Sequence, residues 1–292
     1  MELQRRFIIE PKIFRDLGAE IGGWNTNGHH WIRQFCWMFR VTPLKCSMLF
    51  DSIIERGYTL ENIEPTHLLW GLLLARTHGT EEVMATMCDT TAKTFRYKAW
   101  NALTILSRPR LIDWENRLIG AYPWNRCRVS VDGTDFRMRE PRPFDPRWFS
   151  HKFNGPALRY EIAISISTGW IVWVMGPFPA GEWPDLRIVR ESLNHELDAG
   201  EQYIADGGYY DGYQWAVTPR GLHEHVDRVR ALVRARHENI NGRFKQWRAL
   251  CERWRHAPHK HGVMFRAIAN VIQMGLRSDE PAWPIQYDER EF

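Results

Sequence analysis

The chain has 292 residues, 44% hydrophobic and 25% charged, long enough for one large core or two unequal ones. No run approaches the roughly 18 apolar residues of a membrane span, and Met1-Glu2-Leu3-Gln4-Arg5-Arg6 lacks the apolar stretch of a signal peptide, so an intracellular protein is expected. A net charge of +4 suits a polyanionic partner without demonstrating one, and five scattered cysteines with no Cys-x-x-Cys pair read as reduced, buried thiols.

Before residue 125 the apolar spacing is helical. Pro43 to Arg56 and Thr66 to Thr77, the latter with Leu68, Leu69, Leu72 and Leu73, read as helices, whereas the rest of residues 1–60 carries little signal. Thr80–Met87 and Ala92–Leu106 read as two helices around Cys88-Asp89-Thr90-Thr91, at helix-turn-helix spacing with Thr90 or Thr91 as the second N-cap. Lys93, Arg96 and Lys98 could reach a DNA backbone or base edges from that helix; an ordinary packed helical pair is the other reading.

After residue 125 the period changes to that of strands. Arg128–Asp132, Tyr160–Ile166 and Trp170–Met175 read as strands, the last two joined by a tight turn at Ser167-Thr168-Gly169. Pro184 opens a helix expected to reach about Leu197, and Gln202–Ala205 is a short buried strand that leads into Asp206-Gly207-Gly208. A long helical stripe follows from His223 to His256, with Val226, Val229, Val233, Ile240, Phe244, Trp247, Cys251 and Trp254 on it and a kink or break allowed at Asn239, Asn241 and Gly242. Three strands, a helix, a strand and a long helix are the element order of a ribonuclease-H-like domain. The fold class expected is therefore α/β, a mixed sheet flanked by helices and preceded by an all-α helix-turn-helix region. Expected boundaries are 1–65 and 66–126 for the helical parts, 127–275 for the sheet domain and 276–292 for a tail.

The chemistry-bearing candidates are acids. Asp132 ends an alternating strand, where an unpaired buried carboxylate would be costly and asks for a cation. Asp206 ends the later strand, with glycines behind it that let the backbone turn away. Glu238 shares a polar stripe of the long helix with Arg234, Asn241 and Lys245. Hard carboxylate oxygens from two strands and a helix suit Mg²⁺ or Mn²⁺, and a two-ion site suits in-line displacement at phosphorus. Taken singly, each acid also reads as an ordinary turn or surface residue; together, in this order, they form a constellation. Asp135 and Asp211 read as second-line or turn acids.

These residues resemble the DDE transposases, in particular the eukaryotic PIF/Harbinger group and its bacterial insertion-sequence relatives. Val131-Asp132-Gly133-Thr134 is similar to the first-acid motif and Ala205-Asp206-Gly207-Gly208-Tyr209 to the second. Arg234, Glu238 and Lys245 match the Tyr-x2-Arg-x3-Glu-x6-Lys signature, which departs here at Ala231 in the tyrosine position. Trp148-Phe149-Ser150-His151-Lys152-Phe153 through Gly176-Pro177-Phe178-Pro179 resembles the second and third strands, so the likeness covers about residues 66–255. The resemblance implies two Mg²⁺ or Mn²⁺ ions held by Asp132, Asp206 and Glu238, with Arg234 and Lys245 positioning the substrate. It also implies cleavage of transposon ends and joining of the 3'-hydroxyl to target double-stranded DNA. A homo-oligomer, a separate DNA-binding partner protein and a nuclear location in a eukaryotic host, cytoplasmic otherwise, are further expectations.

Basic residues supply candidate DNA contacts. Arg137, Arg139, Arg142, Arg147, Lys152 and Arg159 interleave with Phe144, Trp148, Phe149 and Phe153, a mix that suits phosphate contact and stacking or a packed hairpin with solvated arginines. Arg243 adds a charge beside the third acid. His256, His259 and His261 lack partners at zinc-ligand spacing. Two other functions compete with the transposase: a domesticated relative that binds DNA without cutting it, and a glycosidase using two of the carboxylates, which leaves Arg234, Lys245 and a third acid unexplained.

Overall fold

A computed structural model describes residues 7–108, 111–212, 214–219 and 224–291, the side chains of 224–226 excepted. The chain divides into two compact units: Met1–Arg110 with Gln246–Glu252 and Val263–Met274, and Leu111–Lys245 with Arg253–Gly262 and Gly275–Phe292. No helix among the described residues is long and apolar enough to cross a membrane.

The first unit is helical among its described residues: α1 (Pro11–Gly22), α2 (Trp31–Phe39), α3 (Pro43–Ile54), α4 (Pro65–Thr77), α5 (Glu81–Met87) and α6 (Ala92–Leu106). Local chemistry sets the starts. Thr42, Thr80 and Thr91 each accept a hydrogen bond from the third backbone N–H of the helix that follows, which satisfies a donor no helical carbonyl can reach. Thr91, not Thr90, is thus the cap of α6. Every residue of α4 from His67 to Ala75 is buried, and α1, α2, α3 and α6 all pack on it. A helix apolar on all sides belongs at the centre of a bundle. α1 and α2 lie in the stretch where the sequence carried little signal.

In the second unit the strands are β1 (Cys127–Arg137), β2 (Phe149–Ser150), β3 (Gly155–Ser165), β4 (Ile171–Pro179), β5 (Gln202–Ile204) and β6 (Ala216–Val217). Their order is β4-β3-β1-β5-β6, with β2 paired to the start of β3. The β1–β3 and β3–β4 pairs are antiparallel, and β1–β5 and β5–β6 are parallel. The turn between β3 and β4 closes at Gly169, whose φ of +72° is left-handed backbone that glycine adopts freely.

Helices cover both faces of this mixed sheet, α7 (Asp185–Glu191) on one and α8 (Glu224–Phe244) on the other. Val129, Val131, Ala163, Tyr203 and Ala205 pack with Val189 of α7 and with Leu193 just beyond it. Cys127, Ile166, Ile204 and Val217 pack with Val233 of α8. The α/β class with helices flanking a mixed sheet is as expected.

Several boundaries differ from the sequence reading. α7 stops at Glu191, because Ser192 leaves helical geometry. α8 passes Asn239–Gly242 unbroken but ends at Phe244 and not at His256: Trp247 is extended and caps a separate turn, α9 (Arg248–Cys251). His223, the expected start, lies outside the described residues. Cys251 is exposed, so the apolar stripe does not continue to it, and Cys36 and Cys88 are only half-buried. The largest element not foreseen is α10 (Pro258–Arg277). It begins among the histidines His256, His259 and His261, and His261 is fully buried with its Nδ1 2.7 Å from the Tyr160 hydroxyl. That histidine is core, not a metal ligand or a phosphate contact.

Candidate active site

Alternation along β1 sends its side chains to opposite faces. Val129 and Val131 face α7, and Ser130 and Asp132 face α8: the Ser130 hydroxyl lies 2.9 Å from His237 Nδ1, and Asp132 Oδ2 accepts from Asn241 Nδ2 at 2.9 Å. The same alternation on β5 turns Ile204 toward α8, and Asp206 is the next residue of that set. Ser130 pairs with Ile204 at the end of the parallel β1–β5 register, so Asp132, two residues on in β1, and Asp206, two residues past β5, come to line the same pocket.

Glu238 completes the group from α8. Ser130, Val131, Asp132, Asp206, Arg234, His237 and Glu238 line one pocket, so all three sequence-predicted acids and one of the two predicted basic residues share it. Lys245, just past the end of α8, is exposed and is not among the lining residues.

The electrostatics follow from that convergence. Burial, reinforced by the charges of Glu238 and Asp206, pushes the Asp132 carboxyl from 3.8 up to about 7, and Lys152 partly offsets the rise. His237 is driven the other way, down to about 3 by burial, and is a neutral imidazole whose Nε2 has no hydrogen-bond partner among the described residues.

The donor chemistry fits a divalent cation: three hard carboxylates on one pocket, one of them, Asp132, pushed up to about 7 by burial first and by the other two second. The spacing is open, however. Among the described residues no three His, Cys, Asp or Glu side chains are placed to hold one metal ion together. Closing on an ion requires side-chain rotation, most readily of Asp206 and Glu238, both exposed.

Gly133, the next residue after Asp132, is dictated by the other face of the sheet. A Cβ there would stand 2.6 Å from Asp185 Oδ1 and 2.7 Å from Glu161 Oε1. The glycines after Asp206 have a different reason from the one expected. Neither has positive φ; they form a 3-10 turn whose cap is Asp206, with Oδ1 accepting from Gly208 N at 2.7 Å.

Other candidates are sorted by their partners. Asp135 accepts from Arg159 and Ser150 and is structural, and Asp211 accepts from the backbone of Gln214 and Trp215 in a turn. Arg159, expected in the DNA-contacting stretch, is spent on Asp135 and Asp185. Among the remaining predicted contacts, Arg96 pairs with Glu81, Arg147 with Asp145 at 2.8 Å, and Arg243 donates to the Glu280 carbonyl at 2.6 Å. Lys93 and Lys152 are exposed and Lys98 half-exposed.

Sequence reasoning passed over Ser130, His237 and Glu161. Strict period-2 reading of β1 would have put Ser130 on the face of Asp132, and a lone carboxylate inside Tyr160-Glu161-Ile162 is itself a signal. No known protein family, curated protein or solved structure matches the chain.

Proposed function

We propose that the protein is a metal-dependent DNA-cutting and DNA-joining enzyme of the DDE transposase type, its sheet unit a ribonuclease-H-like catalytic domain and α5–α6 a DNA-reading helix-turn-helix. One observation carries this reading. Three carboxylates, far apart in sequence and supplied by β1, by the second residue past β5 and by α8, line a single pocket with Arg234, where burial and then the other two acids push the Asp132 carboxyl up.

Asp132, Asp206 and Glu238 would hold Mg²⁺ or Mn²⁺, which when bound supplies Lewis-acid activation of the attacking water or 3'-hydroxyl and neutralises the leaving oxygen. The chain's own residues do the rest. Asn241 fixes the Asp132 carboxylate by its 2.9 Å hydrogen bond, so that one oxygen is committed and the other is left for the cation. Arg234 brings a positive charge to the pocket wall for a phosphate oxygen, and Lys152 lends a second charge from outside. Neutral His237, its ring held by Ser130, adds polarity to the wall without competing for the cation's charge. Lys93 and Lys98 on α6 supply backbone or base contacts to double-stranded DNA.

The open spacing of the acids favours a second reading, a domesticated transposase-derived protein that binds DNA without cutting it. Incubation of the intact protein with labelled duplex ends and Mg²⁺ or Mn²⁺, beside Glu238→Gln, separates the two. Metal-dependent products from the wild type, reduced on the order of a thousandfold in the variant, are expected for the enzyme. Equal products from both would remove it, and DNA binding that survives neutralisation of all three acids, with no cleavage, would establish the second reading.

A further inference from the structure

Opposite the pocket, on the α7 face of the sheet, lies a buried carboxyl that the reaction leaves unused. Glu161 is 0% exposed and faces Gly133 in the β1–β3 register, one step along from the Asp132–Ile162 pair. Its Oε2 accepts a 2.6 Å hydrogen bond from the Tyr209 hydroxyl. Tyr209 is itself buried and is the last residue of the 3-10 turn Gly207–Tyr209, whose first residue's predecessor and cap is Asp206.

The turn is therefore gripped from both ends. Asp206 projects toward α8 and is exposed, with its Oδ1 bonded to Gly208 N, while Tyr209 reaches the other face and is tied to Glu161 of β3, which pairs with Gly133, the residue after Asp132. On its far side Glu161 abuts Asp185, whose position is set in turn by the Arg159 guanidinium at 3.0 Å. Burial first, then the Asp185 charge and a hydrogen bond shared with it, hold Glu161 well above the carboxylate range. A protonated carboxyl donates to Asp185 and still accepts from Tyr209, so both of its oxygens are used and no uncompensated charge is buried.

We propose that Glu161 and Tyr209 form a strut that positions Asp206 against Asp132, as positioning residues and not as members of the cation-holding set. The proposal rests on the reading of the three acids as a cation site, and it predicts that Glu161 acts through hydrogen-bond geometry where Asp132 acts through charge. Residues that orient metal ligands typically change metal affinity about 10- to 100-fold when removed.

The test uses the full chain with Tyr209→Phe, Glu161→Gln, Glu161→Leu and Asp132→Asn. Mn²⁺ affinity is read by calorimetry without DNA, amide exchange at Gly208 in the metal-free protein, and folding by thermal unfolding. Tyr209→Phe, which removes one oxygen and keeps the ring, is expected to weaken Mn²⁺ binding about 10-fold or more and to speed Gly208 exchange. Glu161→Gln supplies an acceptor for Tyr209 and a donor for Asp185, and should stay within about threefold of wild-type affinity, whereas Glu161→Leu should behave like Tyr209→Phe.

Loss of Mn²⁺ binding in Glu161→Gln as severe as in Asp132→Asn would overturn the strut and make Glu161 a charged ligand. Unchanged Gly208 exchange and unchanged affinity in Tyr209→Phe would overturn it as well, even if Glu161→Leu fails to fold. A wild type that binds Mn²⁺ through Asp132 but cuts no DNA would sink the enzymatic reading alone. Absence of Mn²⁺ binding to the wild type would sink the cation site and the strut's role with it.

Discussion

Replacing Asp132 by asparagine should leave the fold intact and change how its stability depends on pH. In the folded protein without metal the Asp132 carboxyl is pushed from 3.8 to about 7, first by burial and then by Glu238 and Asp206. The folded state therefore binds this proton more tightly than the unfolded chain does. Between pH 4 and 7 the native protein carries more bound proton than the unfolded one, so stability falls as pH rises through that window. At about 1.4 kcal/mol for each tenfold change in proton affinity, the loss from pH 4 to pH 8 comes to about 4 kcal/mol.

Asparagine has no proton to lose, so its profile lacks this component. Glu161 and Asp185 are also raised, but they are present in both proteins and drop out of the difference. Urea unfolding in EDTA at intervals from pH 4 to 8 gives that difference directly. The variant should gain on the wild type as pH rises, by several kcal/mol in total, and millimolar Mg²⁺ should stabilise the wild type at pH 8 far more than the variant. Parallel profiles for the two proteins across the whole range would refute a buried Asp132 carboxyl raised by its surroundings.

Gly133→Ala places a methyl group 2.6 Å from Asp185 Oδ1 and 2.7 Å from Glu161 Oε1, and should cost about 1–3 kcal/mol in urea unfolding through displacement of buried Glu161 and its neighbour Asp185. Asn241→Ala deletes the donor to Asp132 Oδ2 and should lower Mn²⁺ affinity about 10-fold while costing about 1–3 kcal/mol of stability, both measurable on the same sample. Lys152→Ala removes the cation that offsets the rise at Asp132, so the pH at which Asp132 titrates, followed by NMR in metal-free protein, should move upward. Thr91→Ala removes the cap of α6 and should cost about 1 kcal/mol by thermal unfolding.

The face of Asp132 and of Asp206 was legible in the sequence because alternation is a local property, although Asp132 does not end its strand: pairing with β3 carries β1 on to Arg137. Once Val129 and Val131 are assigned to one face, Asp132 falls on the other, and the same holds for Asp206 after Tyr203 and Ala205. Glu238 was legible because a helix's polar stripe follows from a fixed angle per residue. Thr91 was one of two caps legible for α6 because its partner lies three residues away, whereas Thr80, expected inside α5, caps that helix.

What the chain alone did not reveal is where buried polar groups find their partners. Glu161 reads as one more strand residue until Tyr209, 48 positions on, donates to it, and Ser130 is unremarked until His237, 107 positions on, meets it. His261 belongs to a basic-looking tail in sequence and to the core in space. Periodicity records which face of an element is apolar. Pairing across the sheet, the end of α8 at Phe244 and the joining of three chain segments into one helical unit are settled by contacts between elements, which no local pattern encodes.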